Sequence, residues 1–79
     1  MTVPHVDISY YGREFTADQK DRLAQALADV VVEHFSTYDG AVSIALSPVD
    51  PDDWNEQVFE PRITRSPERL IKEPNYRDA

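Results

Sequence analysis

The sequence predicts an α/β protein with a strand, helix, strand order, and three observations support this fold class. Near the start, over residues 4–11, Val6, Ile8 and Tyr10 alternate with polar residues, as in a half-buried strand. A long amphipathic segment follows, from residue 17 to about residue 35, and a short apolar segment over residues 41–46 comes next. Elements in this order form a βαβ unit, so the two strands should be parallel and joined by a right-handed crossover.

The middle element is predicted to be a helix that begins after Thr16. Thr16 and Gln19 have the spacing of a capping box, in which two side chains satisfy free backbone N–H groups at a helix start. From there to about Phe35, one side of the segment is apolar, with Leu23, Leu27, Val30, Val31, His34 and Phe35 at helical spacing. We expect one long helix with a single apolar stripe.

The remaining elements are shorter. Residues 41–46 are almost all small or apolar, which predicts a second strand buried on both faces. Residues 50–53 combine acids and a proline and predict the start of a short helix over residues 54–59, which Pro61 should end. Ser66 followed by Pro67 is a second pair of helix cap and first-turn proline, and it predicts a final helix over residues 67–72.

Length and composition indicate a single domain over residues 1–79 that associates with itself. Such a chain hides only about 60% of its surface on folding, and it has no cysteine to form a disulfide. Two strands alone also do not form a stable sheet. We therefore expect a homodimer in which the partner subunit completes the sheet.

Charge and apolar content exclude several classes of partner. The formal net charge is −7, which disfavours contact with phosphate backbones and anionic membrane surfaces. The longest aliphatic run covers residues 30–32, too short for a signal peptide or a membrane span. We expect a cytoplasmic protein without nucleic-acid or membrane partners.

Common metal and hydrolase motifs are missing from the sequence. His5 and His34 lack cysteine partners and zinc-ligand spacing. The acids at 50–53 lack the alternation of a calcium loop and fit a helix start better. Nothing resembles a nucleophile elbow. We expect no metal and no cofactor.

A series of short motifs gives the sequence a family resemblance. They are Pro4-His5-Val6-Asp7-Ile8, Gly12-Arg13, Ala17-Asp18-Gln19-Lys20, the strand Val42-Ser43-Ile44-Ala45-Leu46, Trp54, and the tail Leu70-Ile71-Lys72 with Pro74 and Tyr76. Their order and spacing resemble the 4-oxalocrotonate tautomerase superfamily, in particular its small PptA-type bacterial branch. The resemblance covers nearly the whole chain.

The resemblance implies a dimeric, cofactor-independent tautomerase acting on a small 2-keto or enol acid, with a terminal proline as general base. A terminal proline is a secondary amine whose pKa an apolar pocket or a nearby cation can lower. Pro4, however, follows Met1-Thr2-Val3, and a proline inside the chain is an amide without a basic lone pair. Either Val3 marks the true start of translation, or residues 1–3 are an extension that abolishes or redirects activity. Residues 75–79 are expected to form a tail of low order.

The resemblance also assigns the other site residues. Arg13 matches a substrate-carboxylate arginine, with a solvated loop arginine as the alternative. A second family arginine is replaced by Ser43, which favours monoacids. Trp54 matches a pocket aromatic and, with Phe59, would form an apolar wall for an aryl group; a core or interface role is the alternative.

Two other functions remain open at this point. One is a different reaction of the superfamily, a hydration, decarboxylation or dehalogenation in which a protonated proline acts as acid. The other is a non-catalytic dimeric module. Arg62 and Arg65 are further cations that could reach across a subunit boundary, although a solvated surface position is the simpler interpretation.

Overall fold

The computed structural model describes residues 2–76 and has the predicted βαβ order. Strand β1 (His5–Tyr10), helix α1 (Ala17–Phe35) and strand β2 (Ser43–Pro48) follow one another, and the strands pair in parallel. The register places Val6 opposite Ile44 and Ile8 opposite Leu46. The predicted fold class is confirmed.

Helix α1 begins where the capping box predicts. The Gln19 backbone N–H donates to Thr16 Oγ1 over 3.1 Å, and the Thr16 N–H donates to Gln19 Oε1 over 3.0 Å. Ala28 and Val31 are buried, and Leu23 and Leu27 are half-buried. The apolar stripe is narrower than predicted, because Val30 and Phe35 are 56% and 53% exposed.

The second strand differs from its prediction in both position and burial. It begins at Ser43 because a 3₁₀-helix, Asp39–Ala41, precedes it. Its residues 44–47 are half-buried and its ends are exposed, so the prediction of burial on both faces is wrong. A cleft lined by residues of α1 together with Ile44 and Leu46 shows that α1 lies over one face of the sheet.

The C-terminal helices also differ from prediction. A 3₁₀-helix, Pro51–Asp53, leads into a π-helix, Asn55–Thr64, that continues through Pro61, so the predicted stop at this proline is wrong. The final helix is a single 3₁₀ turn, Pro67–Arg69, and does not reach residue 72. Residues 77–79 of the predicted tail lie outside the described part of the chain.

Candidate active site

Pro4 lies immediately before β1, and hydrogen bonds hold the backbone both at Pro4 and two residues before it. Its carbonyl accepts a hydrogen bond from the Ser43 N–H over 3.3 Å, and the residue is half-buried. In front of it, the Thr2 carbonyl accepts a hydrogen bond from Thr37 Oγ1 over 2.8 Å. The Val3 side chain is 68% exposed. Thr2 is therefore tied to the chain just beyond α1, while Val3 is largely exposed to solvent.

Polar side chains surround the start of the sheet near Pro4. His5 Nδ1 and Ser43 Oγ share a hydrogen bond of 2.6 Å, and the Ser47 hydroxyl donates to Asp7 Oδ1 over 2.7 Å. Paired residues of parallel strands share a face, so these contacts lie on the face opposite Val6 and Ile8. Ser43 therefore occupies the predicted family-arginine position with a hydroxyl bound to a neighbouring histidine.

Arg13 lies beyond the other end of β1. Gly12 has φ +82°, a left-handed conformation that glycine adopts without strain, and it redirects the chain ahead of Arg13. The guanidinium carbon lies 4.7 Å from the centre of the Phe15 ring, and Phe15 packs edge-on against Tyr10 at 5.6 Å. Within residues 2–76, Arg13 takes part in no ion pair. Stacking on Phe15 therefore positions an exposed guanidinium whose N–H donors are not used in an ion pair.

Trp54 and Phe59 are brought together through Tyr76. Trp54 Nε1 donates to Tyr76 Oη over 2.9 Å, and the Phe59 and Tyr76 ring centres are 5.5 Å apart. On its other side, Trp54 packs edge-on against Tyr11 at 5.0 Å. Sequence reasoning assigned no role to Tyr76 in this cluster, and the only available signal was an aromatic residue in the tail.

These aromatic residues border a cleft of about 240 Å³. We call it the aromatic cleft, and its lining residues are Ser9, Tyr10, Tyr11, Trp54 and Tyr76. Phe59 packs behind Tyr76 and does not line it. Tyrosine and tryptophan rings with polar edges suit a flat aryl group that carries a polar substituent.

Pro4 and the aromatic cleft lie at opposite ends of the same strand. The six residues of β1 separate Pro4 from Tyr11 and span about 20 Å at ~3.3 Å per residue. One protomer therefore does not bring Pro4 together with Arg13 and Trp54. The predicted site residues form two half-sites in a single chain, one at each end of β1.

Neither a metal-binding cluster nor a membrane-spanning helix occurs within residues 2–76. Within residues 2–76, no group of three or more histidine, aspartate or glutamate side chains could hold a metal ion. No helix in the same range combines the length and apolar character needed to cross a bilayer.

Comparison with known proteins places the chain in a family. Residues 4–65 match the family described as Tautomerase enzyme. Relatives named Tautomerase PptA from Enterobacter sp. (strain 638) and from Klebsiella pneumoniae (strain 342) are each 40% identical over 74 residues. One from Escherichia coli O139:H28 is 36% identical over the same length. All three alignments cover 94% of this chain and 97% of the relative. This chain belongs to the tautomerase family.

Proposed function

We propose that this chain interconverts the enol and keto forms of a phenylenolpyruvate-like 2-keto monoacid, with Pro4 as general base when it is the N-terminal residue. The observation that carries this proposal is that the family match begins at Pro4, the half-buried residue at the head of β1. The names of the relatives support the same class of reaction.

The chemistry requires only a base that can return its proton. The free amine of Pro4 takes the proton of the enol hydroxyl, and the O–H electrons form the carbonyl. The electrons of the carbon–carbon double bond then take the proton from the prolinium at the adjacent carbon. Atoms and charge balance, so the reaction is an isomerisation without a cofactor.

Arg13 is proposed to bind the substrate carboxylate. Its guanidinium is exposed, stacked on Phe15 and outside any ion pair within residues 2–76. A guanidinium fork suits the two oxygens of a carboxylate. At Ser43, where the family resemblance would place a second arginine, the hydroxyl is bonded to His5, which supports a substrate with one carboxylate.

The aryl group is proposed to lie against Trp54 in the aromatic cleft, with Phe59 supporting the wall through Tyr76. Because Pro4 lies about 20 Å away in the same protomer, a substrate of this size cannot touch both half-sites of one chain. We propose that a second copy completes the site, so that Pro4 of one subunit faces Arg13 and the aromatic cleft of another.

A non-catalytic module is the second candidate, and one contact favours it. Thr37 Oγ1 donates a hydrogen bond to the Thr2 carbonyl over 2.8 Å, so Thr2 has a defined contact in the fold. If Thr2 is the native first residue, Pro4 is an amide and has no basic lone pair. The mass of the N-terminal peptide of the native protein decides between the two starts.

The activity test uses two forms of the protein, one beginning at Pro4 and one beginning at Thr2. The Pro4 form should accelerate ketonisation of phenylenolpyruvate, followed by the loss of enol absorbance, and the Thr2 form should not. The Thr2 form, in which Pro4 is an amide, should lack the roughly 10²–10⁴-fold contribution of a positioned base, whereas Pro4→Ala in the short form keeps a primary amine and should lower the rate by less. Arg22→Gln, a substitution at an exposed position of α1, should leave the rate unchanged.

Equal rates for the two forms would reject the mechanism. A pH–rate profile separates base from acid chemistry. A proline base requires activity to rise with pH as the amine loses its proton, whereas the hydratase, decarboxylase or dehalogenase alternative requires it to fall.

A further inference from the structure

The basic residues of this acidic protein are concentrated near its C-terminus. Residues 1–60 contain three basic and twelve acidic side chains, a net charge of −9. Residues 61–79 contain five basic and three acidic side chains, a net charge of +2. Glu60, immediately before this segment, pairs with Arg65 and lowers the local net charge to +1. The Debye length is about 8 Å at physiological ionic strength, so an anion near this segment experiences mainly these local charges.

Two of these cations border one cleft. It has a volume of about 440 Å³ and lies between the end of the π-helix and the Pro67–Arg69 turn. Its lining residues are Pro61, Arg62, Ser66, Arg69 and Leu70, and none of them is acidic. We call it the arginine cleft.

The guanidiniums of the arginine cleft differ from that of Arg65, which lies between them in sequence. Arg65 Nε is 3.3 Å from Glu60 Oε1 and is neutralised by it. Arg62 and Arg69 take part in no ion pair within residues 2–76. Two like charges therefore border one cleft, and no carboxylate of residues 2–76 lies within 4.0 Å of either guanidinium, an arrangement that an anion would stabilise.

The backbone around the cleft is fixed by local hydrogen bonds. The Ser66 hydroxyl donates to the Pro61 carbonyl over 3.2 Å, and the Arg69 N–H donates to the Ser66 carbonyl over 3.1 Å. These bonds set the end of the π-helix against the following turn, which brings Arg62 and Arg69 to the same opening. Less backbone ordering is then needed when a ligand binds.

We infer that the arginine cleft binds a small oxyanion, a carboxylate or a phosphate group, at a site separate from the aromatic cleft. Each guanidinium offers a planar fork of N–H donors that matches two oxygens of such a group. The Pro61 and Leu70 side chains provide an apolar border, and no carboxylate lines the cleft to compete.

The test is an amide-shift titration of ¹⁵N-labelled full-length protein with inorganic phosphate and, separately, with acetate. Chloride is replaced stepwise so that ionic strength and pH stay constant. The Ser66, Arg69 and Leu70 amides should shift and saturate. The anion with the lower dissociation constant shows whether phosphate or carboxylate chemistry is preferred.

Three variants with matched charge changes complete the experiment. Arg62→Gln and Arg69→Gln should each weaken binding by about tenfold, as expected for loss of a hydrogen bond to a charged group. Arg22→Gln removes the same charge from α1 and should bind like the unmodified protein. Both arginines of the cleft are exposed, and the unshifted amides of each variant report that it is folded.

Shifts that grow linearly with both anions, or that persist unchanged in both cleft variants, would overturn the inference. Because the readout is binding, failure of this test is independent of the tautomerase activity.

Discussion

At the scale of single residues, the bond between Trp54 Nε1 and Tyr76 Oη connects the aromatic cleft to the C-terminal segment. Tyr76→Phe keeps the ring against Phe59 but leaves the half-buried indole N–H without its acceptor. The free energy of unfolding should fall by about 1 kcal/mol, the net value of one hydrogen bond. Urea unfolding measures this as a lower midpoint at an unchanged slope.

The matched control is Tyr38→Phe, because Tyr38 is 55% exposed and its hydroxyl makes no hydrogen bond within residues 2–76. Its unfolding midpoint should not move. Equal midpoints for the two variants would show that the Tyr76 hydroxyl contributes nothing to holding this segment.

Some of the candidate site residues could be identified from the sequence, and others could not. Pro4, Arg13 and Trp54 could be identified because each sits in a short motif, and their roles remain proposals. Tyr76 could not be assigned a role, because its contact with Trp54 joins residues 22 apart across segments without regular periodicity. The sequence motifs also did not predict that Pro4 lies far from the aromatic cleft, because this separation follows from the direction of β1.

At the scale of elements, the capping box gives the clearest link from sequence to stability. Thr16→Ala removes the side-chain acceptor of the Gln19 N–H and should lower the free energy of unfolding by about 1 kcal/mol. Thr64→Ala, at an exposed position near the end of the π-helix, is the control and should change it by less than about 0.5 kcal/mol. Thermal or urea unfolding at one fixed protein concentration measures both, because association would shift the midpoint. Equal losses would mean that the box does not determine the stability of α1.

The elements that were predicted wrongly share a physical cause. Pro61 should end an α-helix, because its ring clashes with the carbonyl four residues earlier. The segment is instead a π-helix, in which each N–H pairs with the carbonyl five residues earlier, as Arg65 N–H does with the Glu60 carbonyl over 3.0 Å. Pro61 has no N–H and forgoes one such bond without ending the helix. Residues 41–42 were assigned to β2, yet their N–H groups bond to Tyr38 and Asp39 in the preceding turn. Local patterns predicted element type but not which backbone partner each residue takes.

At the scale of the whole molecule, the isolated chain has more surface than its mass predicts. It exposes 6415 Å², whereas a folded monomer of 9.1 kDa exposes about 4,900 Å². Its radius of gyration is 14.4 Å, against about 11.6 Å for a compact domain of this length. The exposed side chains of Val30 and Phe35 contribute to this extra surface, and so does a sheet of only two strands. These features support the proposal that the working unit contains at least two copies.

The proposed self-association and the proposed shared site lead to one decisive experiment with protein that begins at residue 4. Pro4→Ala, which keeps only a primary amine, and Arg13→Gln, which loses the carboxylate contact, should each retain only a small residual rate in the ketonisation of phenylenolpyruvate. When equal amounts are unfolded together and refolded, half of the dimers combine one variant of each kind. If Pro4 of one subunit works with Arg13 of the other, each mixed dimer contains one intact site, and activity should return to about one quarter of the unmodified level. Sedimentation should show dimers throughout. A site built within one chain predicts no recovery, because neither variant then has both residues, and that result would reject the shared site while leaving Pro4 as the candidate base.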